Sequence, residues 1–331
     1  WTFDPREDVE IHDLPFILWD FQEEYVDWLN ERIGKAKDGS KIKASDGATL
    51  KTRDMGLTWV VLAWAIHKWL FEPGFEMLLG SEKEEKVDDN TKDSHFGRLQ
   101  YIVSRLPGWL LPRGFEMRRH RTRMKLVNPE NGNTLKGDSA HADFGRGGRF
   151  RCIFFDEFAA WDYQKEAWSA SSESTRCRMM LSTPKGGTNF FAQFYKSNRS
   201  AHFEAPWWRH PKKDQAWYDA QKERLTPEEM AENIDMSFEA SQEGVIYPGI
   251  NEVPLGHFPY VSGWPLWCSM DYGYDDDTAL IWWQRDPVSG RVRMIDAYQN
   301  SKKPIDFYIP FLTGQFNPEH DFDYSDADLE K

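Results

Sequence analysis

The chain has 331 residues, of which 40% are hydrophobic, and a formal net charge of −13. This length suffices for two hydrophobic cores, and the negative charge argues against a protein that coats nucleic acid with its whole surface. We find no apolar run approaching about 20 residues and no charged-then-apolar leader, so we expect neither a membrane span nor a signal peptide. The three cysteines lie far apart, which argues against a disulfide framework or a cysteine zinc site and fits a reducing compartment.

Helical and strand patterns alternate over the first 200 residues. In chain order they predict helices over 16–33 and 58–71, a strand over 75–81, a helix ending at Pro107, a hairpin over 122–137, and strands over 150–158 and 177–184. Such alternation indicates an α/β fold with a mostly parallel sheet and helices on both faces.

The pattern changes near residue 200. The segment 206–241 is polar, rich in Trp and helical, without a strand signal. Three strand-like runs follow within 265–299, the last two joined by a turn with Pro and Gly. We therefore predict the main domain boundary near 245–262, and a β-rich unit after it.

The stretch 50–59, LKTRDMGLTW, resembles a phosphate-binding loop that lacks its usual lysine. Gly56 and Thr58 match the pattern, whereas Leu57 occupies the lysine position. A glycine turn at a helix start can direct backbone N–H groups at phosphates, and Thr58 can ligate Mg²⁺. Lys51 or Arg53 can supply the missing charge, because the charge must reach the phosphates whatever its place in the chain. A chance turn before a helix is the alternative.

The apolar run CIFFDEF places two carboxylates, Asp156 and Glu157, at the end of a strand. This is the edge at which α/β sheets bind ligands. Nucleotide hydrolysis needs one carboxylate near Mg²⁺ and another that orients or activates water. Adjacent strand residues face opposite sides, so the pair can divide these tasks. An ordinary solvated turn is the alternative.

Two further positions suit a nucleotide site. Ser182 and Thr183 end a strand at Pro184, where their hydroxyls could sense the γ-phosphate, although a plain turn would look the same. Gln22 has one donor and one acceptor group, which suits the adenine edge. A solvated glutamine on an amphipathic helix is the alternative.

Two basic segments complete the set of candidates. The glycine-rich loop 143–151 is cationic and mobile enough for an arginine finger, or it carries ordinary surface arginines; its basic residues are Arg146, Arg149 and Arg151. In 118–126 basic residues recur at every second position, which on a strand would give one cationic face toward phosphates, or a merely solvated hairpin; they are Arg119, Arg121, Arg123 and Lys125.

The order of these motifs resembles the large terminase subunit of tailed bacteriophages. The resemblance covers nearly the whole chain and runs through Gln22, KTRDMGLT, GRGGRFRCIFFDEFA, LSTPKGGTNFF, HPKKDQAWY and MDYGYDDDTA. It implies a P-loop (RecA/ASCE-like) ATPase domain over 1–205, a lid or linker over 206–261, and the start of an RNase H-like α/β nuclease domain over 262–331.

The resemblance also implies roles for the candidate residues. Lys51 becomes the P-loop lysine, Asp156 the Mg²⁺-binding acid and Glu157 the catalytic glutamate. Gln22 becomes the residue that contacts adenine, and Ser182-Thr183-Pro184 becomes the coupling motif. Arg146 is the first choice, and Arg149 the second, for an arginine that acts on the neighbouring subunit.

What the resemblance implies as a function is ATP-driven packaging of double-stranded DNA in the host cytoplasm, away from membranes. The expected partners are a portal protein, the small terminase subunit and further copies of the chain in a pentameric ring. The opening on Trp1 without Met leads us to expect a fragment.

The expected nuclease site begins at Asp271, which matches the family's first nuclease carboxylate. Two-metal cleavage needs several carboxylates around Mg²⁺ or Mn²⁺ ions about 4 Å apart. Asp296 and the acids at 275–277 and 321–328 are available, but none has a recognisable ligand context, and a solvated acidic surface is the better explanation of the tail. We therefore expect an incomplete nuclease domain.

Two other functions remain possible at this point. A superfamily 2-like helicase or repair ATPase shares Gln22, the Asp-Glu pair and Ser-Thr-Pro, but needs a second RecA-like domain. A degenerate P-loop scaffold that docks on a partner without hydrolysis would explain Leu57.

Overall fold

The computed structural model describes residues 2–4, 12–197, 199–238, 256, 258–274 and 276–313. The chain divides into two compact units, residues 1–246 and 247–331. Within the described part of the first unit the strands are β1 (Thr2–Phe3), β2 (Asp13–Leu14), β3 (Gly47–Lys51), β4 (Glu76–Ser81), β5 (Arg121–Thr122), β6 (Lys125–Val127), β7 (Thr134–Ser139), β8 (Cys152–Asp156), β9 (Arg178–Ser182) and β10 (Ala201–Ala205).

The helices of the first unit connect and flank these strands. They are α1 (Asp20–Arg32), α2 (Leu57–Phe71), α3 (Glu84–Val87), α4 (His95–Ser104), α5 (Met117–His120), α6 (Gln164–Ala170), α7 (Phe190–Lys196), α8 (Gln215–Arg224) and α9 (Pro227–Asn233). Short 3₁₀ turns cover Gly108–Leu110, Phe158–Ala160 and Trp207–Arg209.

The first unit is built on one eight-stranded sheet with the order β10-β3-β9-β8-β4-β7-β6-β5. The neighbours from β10 to β7 are parallel, and only the β7–β6 and β6–β5 pairs are antiparallel. The sheet confirms the predicted, mainly parallel α/β fold. Because β9 lies between β3 and β8, the carboxyl ends of these three strands meet at one edge.

Helices cover both faces of this sheet. Alternate residues of a strand face opposite sides, so Met77 and Phe154 pack in one core cluster while Leu78 and Phe155 pack in the other. The first cluster contains residues of α1, α2 and α4, and the second contains residues of α6 and α7. This double packing explains why β8 and the Met77–Leu79 stretch of β4 are continuously apolar up to the ends of the strands.

The sequence patterns located most of these elements. The helix α1 and the strands β4, β8 and β9 lie within their predicted ranges, α2 begins one residue earlier than predicted, and the β6–β7 hairpin extends two residues beyond its predicted end. The strand β10 was not predicted, because AHFEA is short and mixes polar with apolar residues. It belongs to the sheet through its parallel pairing with β3.

The predicted cationic strand face at 118–126 is wrong. The segment begins in the short helix α5, continues as the two-residue strand β5, and turns at Met124, whose φ is 52°. Arg121 is buried and forms an ion pair with Asp88 at 2.6 Å, while Arg123 pairs with Glu84. The buried carboxylate of Asp88 therefore draws Arg121 inward, away from Arg119 and Lys125.

The described part of the second unit is an antiparallel meander followed by one helix. It contains β11 (Leu266–Asp271), β12 (Thr278–Arg285), β13 (Val292–Asn300) and α10 (Ile305–Leu312). Leu280, Trp282 and Tyr308 form its small buried core. Among the helices of the described residues, none has the length and apolar character needed to cross a membrane.

Candidate nucleotide site

Two carboxylates diverge at the end of β8. Asp156 is the last strand residue and is buried, whereas Glu157 adopts a left-handed backbone conformation with φ 49° and ψ 45°. This conformation is uncommon for a residue other than glycine and is typical of strained functional positions. It directs the two acids to different partners, since Asp156 contacts Thr58 and His95, and Glu157 contacts Lys51.

The loop between β3 and α2 turns through two left-handed residues, Asp54 and Gly56, with φ of 61° and 71°. Gly56 caps the N-terminus of α2, and a Cβ added there would lie 3.0 Å from Gln22 Nε2. The first N–H groups of a helix have no acceptor within the helix. The start of α2, at Leu57 and Thr58, therefore presents donors and a positive dipole end at the sheet edge.

Lys51 provides a cation at this loop. It is the last residue of β3, and its Nζ lies 2.9 Å from Glu157 Oε1 with the lysine side chain only 7% exposed. Leu57, in the usual lysine position, is buried in the apolar core. The positive charge is therefore supplied by Lys51 at the end of β3, whereas Leu57 packs in the core.

The carboxylate of Asp156 is held on both oxygens. The Thr58 hydroxyl donates to Oδ1 at 3.2 Å, and His95 Nε2 lies 2.7 Å from Oδ2. Burial opposes ionisation, but the hydrogen bond and charge of His95, with the charges of Lys51 and Arg98, keep the pKa of Asp156 below its usual value. A hydroxyl beside an ionised carboxylate is the kind of oxygen pair that holds Mg²⁺ together with nucleotide phosphates.

A cleft of about 480 Å³ opens beside these groups. It combines the acids of β8 with hydroxyls and with cations from three segments. Its lining includes Arg53, Thr58, Ser81, Lys86, His95, Arg98, Asp156, Glu157, Thr183 and Asn233. A cleft of this composition can take a charged phosphate chain and a divalent cation.

The segment 213–234, which contains α8 and α9, is tied to the loop at both of its ends. The N–H of Arg53 donates to Asn233 O at 2.7 Å, the Thr52 hydroxyl donates to Ile234 O at 2.7 Å, and Lys213 Nζ donates to Arg53 O at 2.7 Å. The Arg53 side chain is exposed at the cleft and reaches Asn233 Oδ1 at 3.5 Å. Movement of this segment would therefore move the loop.

Gln22 lies beside the loop but uses its amide within the protein. Its Oε1 accepts from the Trp19 N–H at 3.2 Å, and its Nε2 donates to Met55 O at 3.1 Å. The side chain is buried. These bonds hold the loop against α1, and the adenine contact expected for Gln22 stays a prediction.

The end of β9 contacts the segment after β8. The Ser182 hydroxyl accepts from the Ala159 N–H at 3.1 Å, and Thr183 lines the cleft. The register pairs Asp156 with Leu181. A displacement of the Ser182–Thr183 segment would thus reach the acids directly, which is the geometry that a coupling role needs.

The arginines of 143–151 lie apart from this cleft. Arg146 is exposed and pairs with Asp143 at 3.0 Å, and Arg149 donates to Glu173 O at 2.8 Å. Neither arginine belongs to the cleft lining. A role for Arg146 at a neighbouring subunit stays a prediction.

The second unit places Asp271 alone at the end of β11, where it is exposed. Asp271 pairs in register with Ala279, whereas Asp296 pairs with Trp282. Ala279 and Trp282 are three residues apart on one strand, so the two acids face opposite sides. Asp276 and Asp277 are exposed, and Asp275 and the acids at 321–328 lie outside the described residues. Within the part that is described, no three His, Cys, Asp or Glu side chains form a group that could hold a metal.

Sequence reasoning missed two side chains of the cleft, His95 and Arg98. Both lie on the first turn of α4, whose N-cap Ser94 accepts from the Gly97 N–H at 3.2 Å. The available signal was Ser94, a residue type that favours helix starts, in the connection that leaves the carboxyl end of β4.

One family model matches this chain. A family profile described as "Terminase large subunit, T4likevirus-type, N-terminal" matches residues 49–234, which is more than half of the chain and runs from within β3 to the end of α9. The comparison with curated proteins returned no match.

Several solved structures align with this chain. The large terminase of a thermophilic bacteriophage is 14% identical, with 91% of this chain and 74% of that chain covered and a TM-score of 0.49. The same protein in complex with ADP gives 13% identity, coverage of 92% and 76%, and a TM-score of 0.48. The large terminase ATPase domain of Thermus phage P74-26 gives 18% identity, coverage of 58% and 88%, and a TM-score of 0.44.

Proposed function

The chain belongs to the large terminase subunit family, and from this premise we propose that its first unit binds and hydrolyses ATP to drive double-stranded DNA into a viral procapsid. The observation that carries the proposal is the meeting of two residue pairs at one sheet edge. Thr58 contacts Asp156 in the wall of one cleft, and Lys51 contacts Glu157, which lines the same cleft.

Each pair has its own task in the proposed hydrolysis. Lys51 and the N–H groups at the start of α2 bind the β- and γ-phosphates. Thr58 and Asp156 would hold Mg²⁺, and the bound ion would supply positive charge against the charge that develops on the phosphates. Glu157 orients a water whose oxygen bonds to the γ-phosphorus while the bond from that phosphorus to the bridging oxygen breaks. Glu157 takes up the water proton, and ADP and phosphate are the products.

Segments next to the site would couple ATP hydrolysis to the rest of the assembly. Thr183 lines the cleft and Ser182 is bonded to the Ala159 N–H after β8, which supports a coupling role for this pair. Arg146 would act on the site of an adjacent subunit, for which its exposure is suitable. This requires a ring of copies, which we propose to assemble with a portal protein and the small terminase subunit in the host cytoplasm.

The second unit would contribute DNA cleavage in the full-length protein. Asp271 would be one ligand of Mg²⁺ or Mn²⁺ in an RNase H-like site, for which the antiparallel meander β11–β13 is a suitable beginning. Further carboxylates must come from elsewhere, because a two-metal site needs several.

Phosphate release from ATP, measured with and without double-stranded DNA, tests the function. We expect Mg²⁺-dependent turnover that rises with DNA, and we expect Glu157→Gln to lose turnover by about 100-fold or more while it still binds a fluorescent ATP analogue. A wild-type chain that binds the analogue without turnover would instead be a docking scaffold. Unchanged turnover in Glu157→Gln would remove Glu157 from its role.

A further inference from the structure

Arg98 is a cation of the cleft that belongs to the same chain as the acids of β8. It lines the cleft together with Thr58, Asp156 and Glu157. It lies three residues after His95 on α4, so the two side chains share one helix face. Because His95 is bonded to Asp156, this face is fixed against the metal-binding end of the site.

The guanidinium of Arg98 is oriented but has unused donors. Its Nε donates to Lys92 O at 2.8 Å, and its carbon lies 5.3 Å from the centre of the Trp59 ring. Among the described residues, no carboxylate oxygen lies within the 4.0 Å ion-pair distance of the guanidinium. The two terminal nitrogens therefore remain available for an anion, in a half-buried setting that strengthens electrostatic interactions.

The other cations near the cleft are placed differently. Arg53 and Lys86 line the cleft but are exposed, and Lys51 is bonded to Glu157. Arg146 is exposed, paired with Asp143 and absent from the lining. A planar guanidinium whose position is fixed before binding suits the three equatorial oxygens of a transferring phosphoryl group.

We propose that Arg98 contacts the γ-phosphoryl oxygens within its own chain and stabilises their charge in the transition state of hydrolysis. This inference rests on the proposed ATPase function. Arg98 acts on charge alone and exchanges no proton or covalent bond. It supplies from α4 the stabilisation that would otherwise depend entirely on an arginine from a neighbour.

The test compares the variants Arg98→Ala and Arg98→Lys with Arg199→Ala, a control at an exposed arginine. For each protein we would measure kcat, KM for ATP, and the binding of a fluorescent ADP analogue with and without aluminium fluoride. We expect kcat to fall about 100-fold or more in both Arg98 variants, with KM changed only a few-fold. Aluminium fluoride should tighten ADP binding by the wild type and not by Arg98→Ala. Arg98→Lys keeps an alkyl stem over Trp59, and thermal melting of each variant separates misfolding from loss of catalysis.

A mixing experiment separates action within a chain from action between chains. Chains with Arg98→Ala mixed with Glu157→Gln chains should stay inactive, because each site then lacks one of two groups. Recovery of turnover in that mixture would overturn the assignment, and so would wild-type kcat in a folded Arg98→Ala or Arg98→Lys variant. If the wild type itself fails to hydrolyse ATP, the proposed function fails, whereas an active wild type with active Arg98 variants refutes Arg98 alone.

Discussion

Lys51 Nζ and Glu157 Oε1 lie 2.9 Å apart, although 106 residues separate the two in sequence. The proposed phosphate-binding cation is thus bonded to the proposed water-activating carboxylate. In the proposed function, a triphosphate that enters the cleft would compete with Glu157 for the lysine. Nucleotide binding would therefore release the carboxylate toward water, and occupancy of the site would be coupled to readiness for hydrolysis.

His95 is expected to position Asp156 for Mg²⁺. Its Nε2 lies 2.7 Å from Oδ2, which leaves Oδ1 toward Thr58. Outer groups of this kind typically change metal affinity or activity by about 10–100-fold. We predict that His95→Ala raises the Mg²⁺ concentration for half-maximal ATPase by about tenfold, as a metal titration would show.

The matched variant is His95→Gln, whose amide reaches the position of Nε2 and should retain most of the Mg²⁺ affinity. Binding of a fluorescent ADP analogue without Mg²⁺ should be the same in both variants. An unshifted Mg²⁺ titration in His95→Ala would show that the histidine only packs.

Arg121 is expected to be structural. Its side chain is 4% exposed and that of Asp88 is 1% exposed, and their charged atoms lie 2.6 Å apart. Removal of one partner from a buried pair leaves an uncompensated charge, which costs about 3–5 kcal/mol. We predict a loss of this order in the free energy of unfolding for Arg121→Ala in urea. The neighbouring exposed Arg118→Ala should change it by less than about 0.5 kcal/mol, and equal effects would contradict the assignment.

His210 should make stability depend on pH. Burial, and then the charge of Lys213, lower the pKa of His210 to about 4, against about 6.5 in the unfolded chain. The unfolded state thus takes up a proton first, and stability that is present above pH 6.5 is lost as the pH falls toward 4. We predict a loss of at most about 2 kcal/mol from this group, after allowance for solvent screening.

The measurement is the free energy of unfolding at several pH values between 7 and 4, for the wild type and for His210→Phe. Phenylalanine can preserve the contact with Trp19, whose ring centre lies 4.2 Å from that of His210. The wild type should lose stability relative to His210→Phe as the pH falls, because only the wild type has a group that takes up a proton on unfolding at this position. A constant difference would show that His210 does not titrate in this range.

Local hydrophobic patterns predicted most of the fold, because the apolar residues of each strand or helix mark the faces on which that element is buried. CIFFD is apolar throughout since β8 is covered on both faces, and LTWVVLAWAIHKWLF is a helix buried behind Gly56. The short strand β10 carries no such signal, and only its pairing with β3 defines it.

The part of the candidate site that comes from recognisable sequence motifs could be predicted. Thr58, Asp156 and Glu157 come together as the motifs suggested. His95 and Arg98 could not be found in this way, because their importance comes from the packing of α4 against the end of β8. The predicted cationic face that included Arg121 was wrong, because the alternation of basic residues along the chain does not reveal a buried partner such as Asp88.

The most direct test of the account is Lys51→Ala, with ATP turnover and binding of a fluorescent ATP analogue measured on the same folded protein. Lys51→Ala should lose turnover by about 100-fold or more and bind the analogue more weakly, because Leu57 is buried and cannot take over the charge. Arg53→Ala is the matched control at the rim of the cleft and should have a smaller effect. Wild-type turnover and affinity in Lys51→Ala would contradict the claim that a cation at the end of β3 holds the nucleotide.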